Sequence, residues 1–188
     1  MALRKLAPAV LSVLLFVLPA VAEQPAFSEY QVKAAFLYNF AKFIEWPDKA
    51  LRGDEPIIIG TLGDDPFGEV LDETLAGKKV GSHPLSVKRF SRIAALDRCH
   101  ILFVADSEVA RTAEILTRVG AAPTLTVGDT AGFAERGGMI GFVIEERRVR
   151  FDVNLKAVRD GGLKPSSQLL KVARNVLGQP AGSAGDSR

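Results

Sequence analysis

The sequence predicts an α/β fold: a three-layer α/β/α sandwich with a mostly parallel sheet and an antiparallel hairpin late in the chain. Three observations carry that expectation. Short apolar runs such as Ile57-Ile58-Ile59-Gly60 and Ile101-Leu102-Phe103-Val104 describe strands covered on both faces, as parallel strands are. Segments with helical spacing alternate with these runs, which is the order of strand–helix–strand units. Residues 139–144 and 149–153, joined by the charged tip Glu145-Glu146-Arg147-Arg148, read as a hairpin.

The chain opens with Arg4 and Lys5, then an almost wholly apolar run over 6–18, then Ala20-Val21-Ala22. That order predicts a cleavable signal peptide over 1–22, which is set aside from the fold. Its apolar stretch is shorter than the roughly 20 residues of a bilayer span, which disfavours an uncleaved anchor. No cysteine follows it to carry a lipid. A single α/β domain is expected over 23–177, and the small, polar residues of 178–188 predict a disordered tail.

Within the domain the first helix is predicted over 28–45. Val32, Ala35, Phe36, Phe40, Phe43 and Ile44 form its apolar stripe, Lys33 and Lys42 lie off it, and Ser28 is the N-cap. Trp46-Pro47 stops it, because the residue before a proline is pushed out of the α region. Strands follow at 56–63, 84–90, 99–105 and 123–127, with short helices at 70–75, 91–96 and 129–134. A longer helix over 107–119 should turn Val109, Ala113, Leu116 and Val119 inward. A last helix over 166–177 carries the stripe Leu169, Leu170, Ala173, Val176 and Leu177.

Charge excludes one broad class of function. Without Arg4 and Lys5 the 24 basic residues become 22, matching the 22 acidic ones, so the exported chain is formally neutral. A phosphate-tracking surface is not expected of it, nor is nucleic-acid binding. No second long apolar run occurs, so the exported protein should not span a membrane. One cysteine cannot close an internal disulfide.

Open parallel sheets bind ligands beyond the carboxyl ends of their strands. Three loops expected there carry carboxylates: Gly63-Asp64-Asp65, Asp106-Ser107-Glu108 and Gly128-Asp129. Helix capping explains each of them simply. The sharper reading gathers Asp64, Asp65, Phe67 and Asp106 into a small-ligand pocket. A phosphoryl-accepting receiver site is disfavoured, since no later strand ends in a lysine and exported compartments are poor in phosphodonors. Other chemistry lacks its motifs: no GxxxxGK[ST], no complete dinucleotide fingerprint, no GxSxG elbow and no HExxH. No spacing supports a metal site or a cofactor, and His83, in Gly81-Ser82-His83-Pro84, reads as a loop histidine. Cys99 and His100 are adjacent on a predicted strand, so they should face opposite sides, with 99, 101 and 103 on one face. Cys99 is expected in the core as a small hydrophobe, and no catalytic residue is assigned.

The segments EYQVKAAFLYNFAKFIEWP, IIIGTLGDDPFG, CHILFVADSE, TLTVGD, GGMIGFVIEERRVRFDVNL and GLKPSSQLLKVAR occur in the order seen in the YfiR family. The chain resembles that family from about residue 29 to 174. The resemblance implies a periplasmic α/β protein without catalytic activity that holds a partner inactive. The implied partner is the periplasmic part of an inner-membrane diguanylate cyclase, so that release raises cyclic di-GMP and biofilm formation. Some relatives are associated instead with sensor kinases or outer-membrane receptors, and members tend to self-associate, which allows a homodimer. The namesake branch carries paired cysteines. Here Cys99 matches one of them and stands alone, so a disulfide switch within one chain is excluded.

Two functions are therefore expected, and they can coexist, since a ligand that prefers the partner-free state would shift the binding equilibrium. One is an interaction protein, with Tyr30, Leu37 and Tyr38 of the first helix as candidate partner contacts. The other is a periplasmic ligand-binding accessory to a sensor kinase or outer-membrane receptor, using Asp64, Asp65, Phe67 and Asp106.

Overall fold

A computed structural model describes residues 28–120 and 122–178. The expected signal peptide and all but the first residue of the expected tail lie outside them. In chain order the elements begin with α1 (Glu29–Phe43), β1 (Ile44–Glu45), β2 (Ile57–Leu62), α2 (Glu69–Leu75), β3 (Lys79–Val80) and β4 (His83–Phe90). Next come β5 (Ile101–Val104), α3 (Thr112–Val119), β6 (Leu125–Gly128), β7 (Ile140–Glu145) and β8 (Arg148–Asn154). The chain closes with α4 (Leu155–Asp160), β9 (Lys164–Pro165), α5 (Ser167–Val172) and β10 (Asn175–Leu177).

Eight strands form the main sheet in the order β10-β8-β7-β6-β5-β2-β4-β3. The run β4-β2-β5-β6-β7 is parallel throughout, as the unbroken apolar strands predicted. β7 and β8 pair antiparallel as the expected hairpin, from Ile140↔Val153 to Glu145↔Arg148. Glu146 and Arg147 take positive φ at its tip, the geometry a two-residue hairpin turn needs. Helices cover both faces. Against one, α1 and its neighbours pack Leu37 and Phe40 on Ile59, Phe103, Phe142 and Phe151. Against the other, Ile115 of α3 and Phe133 cover Leu62, Leu102 and Val104.

Several elements differ from the sequence expectation. Ser28 does cap α1, forming a reciprocal capping box with Gln31. The buried stripe, however, is Ala34, Leu37, Phe40, Ala41 and Ile44, with Lys33 buried beside it. Ala35 is exposed, and Val32, Phe36 and Phe43 are half-buried. The small Ala34 and Ala41 let the helix lie close to the sheet, while Phe36 fills its flank against Phe142 and Phe151. α1 ends at Phe43 because Ile44 is drawn into extended pairing with Pro165.

The 107–119 segment opens as a 3-10 turn over Asp106–Arg111 and becomes α-helical only from Thr112. Its buried face is Thr112 and Ile115, whereas Val109 and Ala113 are exposed. Residues 131–137 form consecutive turns rather than a helix. The last predicted helix stops at Val172, and Asn175–Leu177 instead join the sheet beside β8.

Candidate functional site

The carboxyl edge of the parallel strands is built by the loops after β2, β5 and β6 and by the first turns of α1. Gly63 (φ 92°) brings the first two loops together, since a Cβ there would lie 2.5 Å from Ser107 Oγ and 2.8 Å from Glu108 Cγ. The Asp64 N–H donates to Ser107 Oγ at 3.0 Å across that junction. None of the predicted carboxylates caps a helix. Asp65 Oδ1 accepts from the Phe67 N–H at 3.0 Å in a local turn, while its Oδ2 pairs with Arg89 Nε at 2.7 Å. Arg89 also clamps Asp72 and the Gly68 carbonyl. That clamp holds the Asp72 carboxyl below its usual range and the Arg89 guanidinium above its own.

Asp64 and Asp106 are exposed, so the loops bring these two to one edge with Asp65. Phe67 does not join them as a ligand contact. It is 3% exposed, edge-on to Phe103 at 4.8 Å and to Tyr30 at 5.4 Å. An aromatic beside an acidic turn is taken into the core because only there does its ring find apolar partners.

Lys33 was not among the sequence candidates. Its ammonium sits 2.8 Å from Asp129 Oδ2 and 2.5 Å from Glu29 Oε1, and 4.5 Å from the Tyr30 ring centroid. The Tyr30 hydroxyl donates to the same Asp129 oxygen at 3.1 Å. Burial, then the Asp129 charge, pushes the Tyr30 phenol up to about 12. A signal existed in the sequence, since Glu29 and Lys33 stand four residues apart. Nothing local could point to Asp129, which lies 96 residues away.

Of the predicted contacts on α1, Leu37 is fully buried and offers no surface to a partner. Tyr30 and Tyr38 are half-buried. The Tyr38 ring lies beneath Lys78 and Lys42, whose ammonium groups are 4.8 and 5.5 Å from its centroid.

The opposite, amino edge of the sheet holds a cavity of about 480 Å³, lined in part by Cys99, His100, Leu102 and Thr124. Both reach the cavity, yet their side chains pack apart, Cys99 with Leu102 and Val104 and the His100 ring edge-on to Trp46 at 6.2 Å; strand alternation does not decide which side each takes. Regular pairing begins at Ile101, and Cys99 joins Leu102 and Val104 rather than Ile101 and Phe103. The slip arises because the His100 ring itself takes a place in the ladder. Its Nδ1 accepts from the Ile58 N–H at 2.9 Å, which fixes the proton on Nε2, and Nε2–H donates to the Ala50 carbonyl at 3.0 Å. Burial, offset in part by the Ala50 contact, lowers the pKa of His100. Cys99 packs against Gly60, where a Cβ would lie 3.3 Å from its sulfur. Burial pushes its thiol up to about 12, the reverse of what a reactive thiolate needs. His83 opens β4 half-buried, with Nδ1 2.8 Å from the Glu55 carbonyl, so it is not a loop residue. Among the described residues no group of three or more His, Cys, Asp or Glu side chains is placed to hold a metal ion.

The family model DUF4154, YfiR/HmsC-like, matches residues 30–174. The chain belongs to the YfiR/HmsC-like family. Membership supports a regulatory role in the periplasm in general terms. No helix among the described residues is long and apolar enough to cross a membrane. No curated protein matches the chain. Among solved structures, a conserved domain protein from Vibrio cholerae O1 biovar El Tor aligns with a TM-score of 0.56 and 11% identity, covering 79% of this chain and 60% of that one. The ABC domain in complex with L-Trp from Streptococcus pneumonia aligns with a TM-score of 0.49 and 12% identity, covering 64% and 55%. The chain thus spans less than two thirds of either protein. The Vibrio likeness shows the shared α/β fold, and the family match carries the functional argument.

Proposed function

We propose that this YfiR/HmsC-like protein is a non-enzymatic periplasmic regulator that binds and represses the periplasmic part of an inner-membrane diguanylate cyclase. The observation that carries the reading is the family match across nearly all of the described residues. The chemistry of the site is compatible with it. Both nitrogens of His100 are committed to backbone groups, the Cys99 thiol is held protonated, and Asp65 and Asp129 are bound by Arg89 and Lys33. No nucleophile is left beside a free base in that arrangement. The half-buried Tyr30 and Tyr38 are the proposed contacts on α1, while Leu37 lies in the core.

Deletion of the gene should raise cyclic di-GMP and biofilm formation, and the tagged protein should co-purify with a membrane-bound cyclase. Unchanged cyclic di-GMP, together with recovery of no cyclase, would sink the repressor reading.

A further inference from the structure

We propose that the cavity at the amino edge of the sheet binds a small amphipathic anion, an apolar body carrying a carboxylate. The assignment is independent of the repressor reading and concerns the edge opposite Tyr30 and Asp129. At about 480 Å³ the cavity falls within the roughly 300–1,000 Å³ of small-molecule sites. Its walls come from three stretches: the loop between β1 and β2, the segment that runs into β5 with Leu102 of that strand, and the end of α3 with the turn before β6.

Two observations define the occupant. The first is that the interior is apolar and its polar groups are already satisfied by the protein. Leu96, Cys99, Leu102 and Val119 supply the apolar lining. Thr124 Oγ1 donates to the Cys99 carbonyl at 2.8 Å, and both ring nitrogens of His100 are engaged with backbone groups. A polar ligand body would meet no free partner there and would lose its hydration, whereas an apolar body releases water from the lining.

The second observation is the charge of the lining. Lys49, Arg98 and Arg118 carry its cations, and its one carboxylate, Asp97, is taken by Lys88 at 3.0 Å. Arg98 is held by the Ala50 carbonyl at 2.5 Å, with Glu55 at 3.4 Å. Lys49 and Arg118 are exposed and make no ion pair among the described residues. Residues 23–188 carry 22 basic and 22 acidic side chains, so this concentration of cations is local rather than a share of a general excess. An anionic head at the mouth compensates those charges. A neutral or cationic head of the same shape does not.

The test is calorimetric titration of the purified exported protein with octanoate, octan-1-ol and octylamine, which share one body and differ in the head. Saturable octanoate binding at one site per chain is expected, with octan-1-ol about tenfold weaker, as loss of one charge-assisted contact implies, and octylamine weaker still. Lys49→Glu with Arg118→Glu should weaken octanoate by about tenfold or more, and Ala122→Trp should block it by filling the mouth. These three positions are exposed, and circular dichroism checks that each variant is folded. The proposal is overturned by absence of saturable octanoate binding, by equal affinity for the alcohol, or by binding that survives all three substitutions in folded protein.

Discussion

Lys33 shows how one side chain can depart from its local pattern. An ammonium in the core is tolerable only where opposite charge replaces water, and here Asp129 and Glu29 do so. Removing one partner of a buried pair costs about 3–5 kcal/mol, because the other charge is left desolvated. Lys33→Met should therefore lower stability by about 3 kcal/mol. Lys33→Met with Asp129→Asn should recover part of that loss, since no buried charge then remains. Urea unfolding of the two single variants and the double variant gives the coupling directly. Additive losses would mean that the pair contributes nothing as a pair. The partners lie on different elements, so the pairing is legible only once the sheet is assembled.

At the scale of elements, the end of the chain is the most instructive. Apolar residues at 169, 170, 173, 176 and 177 have helical spacing, yet the helix stops at Val172. Asp152 decides the matter. It lies on β8 with its side chain 2% exposed, and the Arg174 guanidinium grips both its oxygens, with Nε at 2.8 Å. The Arg174 N–H meanwhile donates to the Phe151 carbonyl at 2.8 Å, seating β10 as a parallel edge strand. Helix propensity differs by only a few tenths of a kcal/mol among such residues, so a bidentate pair to a buried carboxylate outweighs it. Arg174→Ala should cost about 2–3 kcal/mol, less than a fully buried pair because Arg174 is partly exposed. It should also raise amide exchange over 175–177. A loss under about 0.5 kcal/mol, typical of surface substitutions, would contradict this account of the terminus.

For the whole molecule, pH should act on stability in two separate windows. The neutral His100 ring accepts from Ile58, and burial holds its pKa below the usual 6.5. The unfolded chain therefore takes up a proton first as pH falls, and stability drops from about 6.5 downward until the folded protein is protonated as well. Asp72, held down by Arg89, contributes in the same sense only below its usual 3.8. Denaturation midpoints measured between pH 7.5 and 5 should fall, and His100→Asn, which keeps an acceptor near Ile58, should flatten that slope. An unchanged slope in the variant would assign the effect to other groups.

By itself the sequence determined the alternation of strands and helices, the parallel sheet, the late hairpin, the Ser28 cap and the family. These rest on local periodicity and on motifs contiguous in the chain. It also separated Cys99 from His100, because neighbouring residues on extended chain diverge whatever surrounds them. Only the tertiary structure decided which face of α1 is buried, that Leu37 and Phe67 belong to the core, that Lys33 meets Asp129, and that residues 175–177 form a strand. It alone brought Lys49, Arg98 and Arg118 around one apolar cavity. Each of those outcomes depends on contacts between residues far apart in the chain, where desolvation and charge pairing outweigh the small local preferences that a sequence displays.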